Sequence, residues 1–142
     1  MENQKQEYRK LTDFEEYVIV RKGTERPFSG EYETNFNKGT YVCKRCGAEL
    51  YRSTDKFDAR CGWPSFDAAI DNGKIKEILD KSFGMIRREV VCNNCGSHLG
   101  HVFDDGPEPT KLRYCMDSAA MKFIPKEDLE KEGYGSLSYL FK

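Results

Sequence analysis

Val42-Cys43-Lys44-Arg45-Cys46-Gly47 and Val91-Cys92-Asn93-Asn94-Cys95-Gly96 are the two stretches that decide the fold. Each holds a Cys-x-x-Cys pair followed at once by glycine. A knuckle of this kind turns the backbone tightly so that its amides face the sulfurs, and glycine supplies the positive φ that closes the turn. Four thiolates in tetrahedral array form a closed zinc site, with Zn–S distances of about 2.3 Å and no open position for water. Such a site stabilises rather than catalyses. Two tandem pairs without a strand–helix–strand pattern favour a metal over two redox dithiols. The long interval between the pairs means that one metal pins together two hairpins distant in sequence.

Outward from the knuckles the chain reads as strands. Thr40-Tyr41-Val42 enters the first knuckle and Glu49-Leu50-Tyr51 returns from it. Met85 to Val91 enters the second and His98 to Phe103 leads out. Leu112 to Met116 reads as a central strand and Met121 to Ile124 as another. Thr12-Asp13-Phe14-Glu15 has the form of a capping box, predicting a short helix through Val20 that stops near Gly23. Gly23 to Gly39 reads as a long ordered loop, and Lys56 to Asp67, with Gly62 and Pro64, as irregular. Pro125 stands where a helix over Lys126 to Leu129 can begin, with Gly133 to end it. The expectation is a mainly β fold with short helices at its edges, one domain over residues 1–142 behind a short polar N-terminal tail. Its two strand–knuckle–strand units resemble two halves of a zinc ribbon brought together.

With 38% hydrophobic and 33% charged residues in 142, the core is small and a metal staple would support it. A formal net charge of -1 argues against a nucleic-acid or membrane-surface binder, which would show a basic excess. Met1 to Gln6 is polar and does not read as a signal peptide, and no apolar stretch is long enough to cross a bilayer. The expected location is cytoplasmic, where thiols stay reduced and Cys-x-x-Cys pairs serve as metal ligands or redox motifs.

Two cysteines lie outside the knuckles. Cys115, in Leu112-Arg113-Tyr114-Cys115-Met116-Asp117, has a cation two positions away, and such a neighbour lowers a thiol pKa. The alternative, a buried structural cysteine, stays open from this segment alone. Cys61 shares a Gly/Pro loop with the only tryptophan, in Cys61-Gly62-Trp63-Pro64. Trp63 is either a core plug or a wall for a small apolar group such as a methylthio group. Both histidines fall in His98-Leu99-Gly100-His101-Val102-Phe103, where they could orient a substrate or exchange a proton near neutral pH. A second metal site on His98, His101 and Cys115 is the rival reading, without a His-Glu metal motif to support it. Asp104-Asp105-Gly106-Pro107 reads as a turn.

Taken in order, these segments resemble methionine-R-sulfoxide reductase B. The most specific pieces are Gly62-Trp63-Pro64-Ser65-Phe66, His98-Leu99-Gly100-His101-Val102-Phe103 and Arg113-Tyr114-Cys115, and the likeness runs from about Tyr8 to Phe141. The resemblance implies two antiparallel sheets in a tent-like arrangement, with one structural zinc on Cys43, Cys46, Cys92 and Cys95 remote from the active site. It implies reduction of the R epimer of methionine sulfoxide, free or in proteins, with thioredoxin as reductant. It places the nucleophile on Cys115, the resolving cysteine on Cys61, the pocket tryptophan on Trp63 and the two active-site histidines on His98 and His101. Phe103, Arg113 and Asp117 are expected at the substrate. The family often has asparagine where this chain has Asp117; ionised aspartate cannot donate a hydrogen bond and would oppose a nearby thiolate, so Asp117 is either protonated, turned away or differently employed. A monomer is expected, with no nucleic-acid or membrane partner. The competing class is a non-enzymatic zinc-ribbon binding module. A zinc hydrolase is disfavoured, since four thiolates leave it no open position.

Overall fold

The computed structural model describes residues 10–23, 25–70, 72–81 and 84–134. The N-terminal tail, Thr24 and the final residues of the resemblance lie outside them. A helix α1 (Asp13–Ile19) opens the fold. Thr12 Oγ1 accepts from the Glu15 amide and the Glu15 carboxyl accepts from the Thr12 amide, which is the reciprocal box read from sequence. Its Val18 and Ile19 are buried while Phe14, Tyr17 and Val20 are exposed.

Among the described residues nine strands follow, in two antiparallel sheets. The first sheet, in order β2-β1-β9, comprises β1 (Gly39–Cys43), β2 (Glu49–Arg52) and β9 (Met121–Pro125). The second has six strands in order β3-β4-β8-β7-β6-β5. These are β3 (Lys56–Phe57), β4 (Ser65–Phe66), β5 (Ile75–Asp80), β6 (Arg87–Cys92), β7 (His98–Phe103) and β8 (Arg113–Met116). The first knuckle joins β1 to β2 and the second joins β6 to β7, so each sheet carries one. β8 is interior to its sheet, as expected for a central strand. Lys56 to Asp67 is less irregular than expected, because β3 and β4 pair across it. The helix expected after Pro125 is one short 3-10 turn, Lys126–Asp128, followed by turns up to Gly133, whose φ is 93°.

Aromatic packing between the sheets forms the core. Tyr51 of β2 stacks on Phe66 of β4, with centroids 4.6 Å apart and planes at 17°. Tyr41 of β1 meets Phe66 edge-on at 5.1 Å, and Tyr51 also touches Tyr114 of β8. The loop through Tyr32 is ordered by specific bonds. The Tyr32 amide donates to Ser118 Oγ and Tyr32 Oη accepts from the Phe123 amide. The buried Lys56 ammonium donates to the carbonyls of Tyr32 and Asn35 beneath the rings of Phe36 and Tyr41.

Candidate active site

The knuckles are built as their glycines require. Gly47 and Gly96 have φ of 83° and 79°, and their amides donate to the carbonyls of Cys43 and Cys92. The four sulfurs lie within 4.8 Å of one another. The closest approaches run between the knuckles, Cys43 to Cys95 and Cys46 to Cys92, both at 3.6 Å. A tetrahedral ion with sulfurs at about 2.3 Å needs sulfurs about 3.8 Å apart, so the set fits a metal ion that ties one sheet to the other. The thiols cannot all ionise together: mutual contact drives Cys46 down and lowers Cys95 to about 6, while Cys43 and Cys92 are driven up. A cation would relieve that conflict, and the Ser97 hydroxyl already lies 2.9 Å from Cys95 Sγ. No other such cluster occurs among the described residues, so His98, His101 and Cys115 do not form a second metal site.

The remaining chemistry gathers on one face of the six-stranded sheet. Register places His101 opposite Cys115, Phe103 opposite Arg113, and Ser65 opposite Cys115 on its other side. Directly opposed residues share a face, and residues two apart along a strand do too. A register irregularity between Val90 and Val91 brings His98 beside His101, with ring centroids 5.6 Å apart. Gly100 lies between the two histidines, where an added Cβ would overlap the Cys115 carbonyl oxygen; its bareness lets β8 close onto β7. The result is a pocket of about 270 Å³ lined by Cys61, Trp63, His98, His101, Cys115 and Asp117, together with Phe103, Arg113, Arg87 and Gly100. It shares no lining residue with the cysteine cluster.

Every sequence-predicted site residue outside the knuckles therefore lines one cavity. Cys61 reaches it on the loop after β3, where Gly62 has φ 95° and its carbonyl accepts from the Phe28 amide at 2.7 Å. Cys61 Sγ is 3.7 Å from Cys115 Sγ and 3.4 Å from Ser65 Oγ. Contact with Cys115 pushes Cys61 down to about 5, with help from Ser65 and Arg113. Contact with Cys61, and then burial, pushes Cys115 up. Arg113 makes two bonds to Asp105, at 2.8 and 3.1 Å, and lies over the Phe103 ring. The segment read as a turn thus also supplies carboxylates, Asp105 to Arg113 and Asp104 to Arg88.

Four carboxyl groups complete the site, and sequence reasoning singled out only Asp117. Glu89, 3% exposed, bonds His98 Nδ1 at 2.8 Å through one oxygen and Lys22 Nζ at 3.0 Å through the other. Burial holds the His98 pKa below the usual histidine range. Asp80 bonds His101 Nε2 at 2.8 Å and Arg87 at 3.4 Å. Asp117, 5% exposed, approaches His98 Nε2 at 3.6 Å. Glu25, 2% exposed, accepts from the amides of Ser118 and Ala119, and its own carbonyl accepts from the Trp63 indole N–H at 3.0 Å. No local spacing signals these partnerships.

Paired thiols, carboxyl-held histidines and an aromatic wall in one cavity suit chemistry at a polarised sulfur centre. The family model described as the SelR domain matches residues 11–125, most of the chain. The chain belongs to the SelR family, the methionine-R-sulfoxide reductase B domain, whose reaction is reduction of methionine-R-sulfoxide to methionine.

Proposed function

We propose that the chain reduces methionine-R-sulfoxide, free or within proteins, through a cysteine sulfenic acid and an intramolecular disulfide that thioredoxin reopens. The observation that carries this reading is the 3.7 Å approach of Cys61 and Cys115 inside the pocket that also holds Trp63, His98 and His101. The sulfoxide methyl rests against Trp63, whose indole is anchored through Glu25, and the oxygen faces the two histidines. Cys115 gives its proton across to Cys61 and attacks the sulfoxide sulfur as thiolate. His101, partly open to solvent and held by Asp80, donates a proton to the oxygen. The sulfur–oxygen bond of the substrate breaks, the oxygen passes to Cys115 as a sulfenic acid, and methionine leaves. The Cys61 thiol then condenses with that sulfenic acid, forming the disulfide and releasing water. A dithiol of the thioredoxin type restores both thiols by exchange.

Zinc is the proposed metal on Cys43, Cys46, Cys92 and Cys95, one per chain, supplying cross-linking rather than Lewis acidity. A monomer in the reducing cytoplasm is the proposed working state. The test is a pair of variants. Cys115→Ser is expected to abolish even one turnover. Cys61→Ser is expected to form one equivalent of methionine and then stall with thioredoxin. Sustained thioredoxin-driven turnover by Cys61→Ser contradicts the resolving role.

A further inference from the structure

Asp117 and Glu25 are two buried acids joined by one hydrogen bond, the Glu25 amide donating to Asp117 Oδ1, and the protein treats them unequally. Glu25 receives strong donors, the Ser118 amide at 2.9 Å and the Ala119 amide at 3.1 Å, one on each oxygen. Among the described residues, Asp117 receives only the Glu25 amide, at 3.4 Å, on Oδ1. No lysine or arginine among the described residues comes within ion-pair distance of it. Two adjacent buried carboxyls cannot both ionise cheaply, and the proton settles on the one with fewer donors.

The other neighbours agree. From β7, His98 faces Asp117 Oδ2 with Nε2 at 3.6 Å. Its Nδ1 is committed to Glu89, whose other oxygen is held by Lys22, so the neutral ring turns a lone pair toward Asp117. An ionised Asp117 would set two acceptors against each other. From β8, Cys115 carries the sulfur that must become negative, and a charge on Asp117 opposes it. A sulfoxide oxygen is purely an acceptor, and His98 in this tautomer offers it nothing. The pocket therefore calls for a further donor where Asp117 stands.

We propose that Asp117 works as a neutral carboxylic acid that donates a hydrogen bond to the substrate oxygen, and that its ionisation shuts the reaction off at alkaline pH. This rests on the reductase reading above and adds a residue that polarises the oxygen while His101 supplies the transferred proton. Burial supports it, raising this carboxyl to about 8.

Two measurements test it. In the first, single-turnover formation of methionine from the R epimer by pre-reduced protein is followed from neutral to alkaline pH, in the wild type and in Asp117→Asn. Ionisation of Asp117 should add a fall of about tenfold per pH unit to the wild-type rate, and the asparagine variant, whatever its rate at neutral pH, should lack that added fall and keep only the dependence that proton donation by His101 imposes. Identical pH profiles in the two proteins overturn the proposal. The second is independent of activity and of the variant's folding. The infrared spectrum of the substrate-free wild type should contain a protonated-carboxyl carbonyl band at neutral pH that shifts on isotopic labelling of aspartate and vanishes as the pH rises past about 8. Absence of such a band overturns the proposal even if the chain proves an active reductase. Its presence in a chain that reduces no sulfoxide leaves the protonation standing and rejects the donor role together with the reductase reading.

Discussion

Replacing Glu25 by alanine isolates a residue that touches neither thiol yet ties three parts of the site together. Its carboxyl oxygens are the acceptors for the Ser118 and Ala119 amides, and these begin the turn that follows Cys115. At 2% exposure water does not replace them. Hydrogen bonds to a charged acceptor contribute about 1.5–3 kcal/mol each, and orphaned buried amides cost about the same again when they stay unpaired. Burial of the carboxyl opposes this gain and raises its pKa, so the lower part of the range applies, about 3–5 kcal/mol for the pair. For a chain of this size that lowers the melting temperature by roughly 10–15 °C. Glu25→Gln keeps one carbonyl acceptor and should lose about half as much. Thermal and denaturant unfolding of the metal-loaded protein measure both. A shift below about 2 °C for Glu25→Ala would show that the two amides find other acceptors and that Glu25 does not hold the turn.

Gly100→Ala drives a methyl into the Cys115 carbonyl and should cut single-turnover activity at least tenfold while metal content, measured by thiol-specific titration, stays at one equivalent; near-normal activity would mean that β7 and β8 can separate freely. Removing the metal by chelation, or by Cys46→Ser, should abolish cooperative unfolding, because a structural site of four thiolates contributes about 10 kcal/mol or more, comparable with the whole stability of a small domain; circular dichroism decides it, and an unchanged melting curve refutes the stapling role. Asp117 binds its proton more tightly folded than unfolded, its pKa rising from 3.8 to about 8. Its contribution to stability is therefore complete at pH below 3.8 and is lost as pH rises toward 8, so the difference in unfolding free energy between wild type and Asp117→Asn should drift in favour of asparagine across that window.

Local chemistry explains what was readable in the sequence. The Cys-x-x-Cys-Gly knuckles, the Thr12–Glu15 box and the strand-forming run at Leu112 to Met116 act over a few residues, so local sequence alone exposes them. β5 escaped because Ile75-Lys76-Glu77-Ile78-Leu79-Asp80 has no alternation. It is an edge strand with one buried residue at its start and is held by its pairing with β6. The helix expected after Pro125 reduces to one 3-10 turn, since Leu129 is the only buried anchor between Lys126 and Glu132 and a short helix needs an apolar face. Asp80 and Glu89 meet the histidines through sheet register, and Glu25 meets the Ala119 amide, 94 positions away, from a loop, so no local spacing announces these partners. The 3.7 Å approach of Cys61 to Cys115 likewise comes from β4 lying beside β8, which no segment announces by itself.

The central claim is tested most directly by offering the separate R and S epimers of methionine sulfoxide to the metal-loaded chain, with thioredoxin and its reductase as the electron source and Cys115→Ser as the control. The account predicts turnover of the R epimer alone, abolished in the variant. Turnover of the S epimer, or undiminished turnover by folded Cys115→Ser, would contradict it.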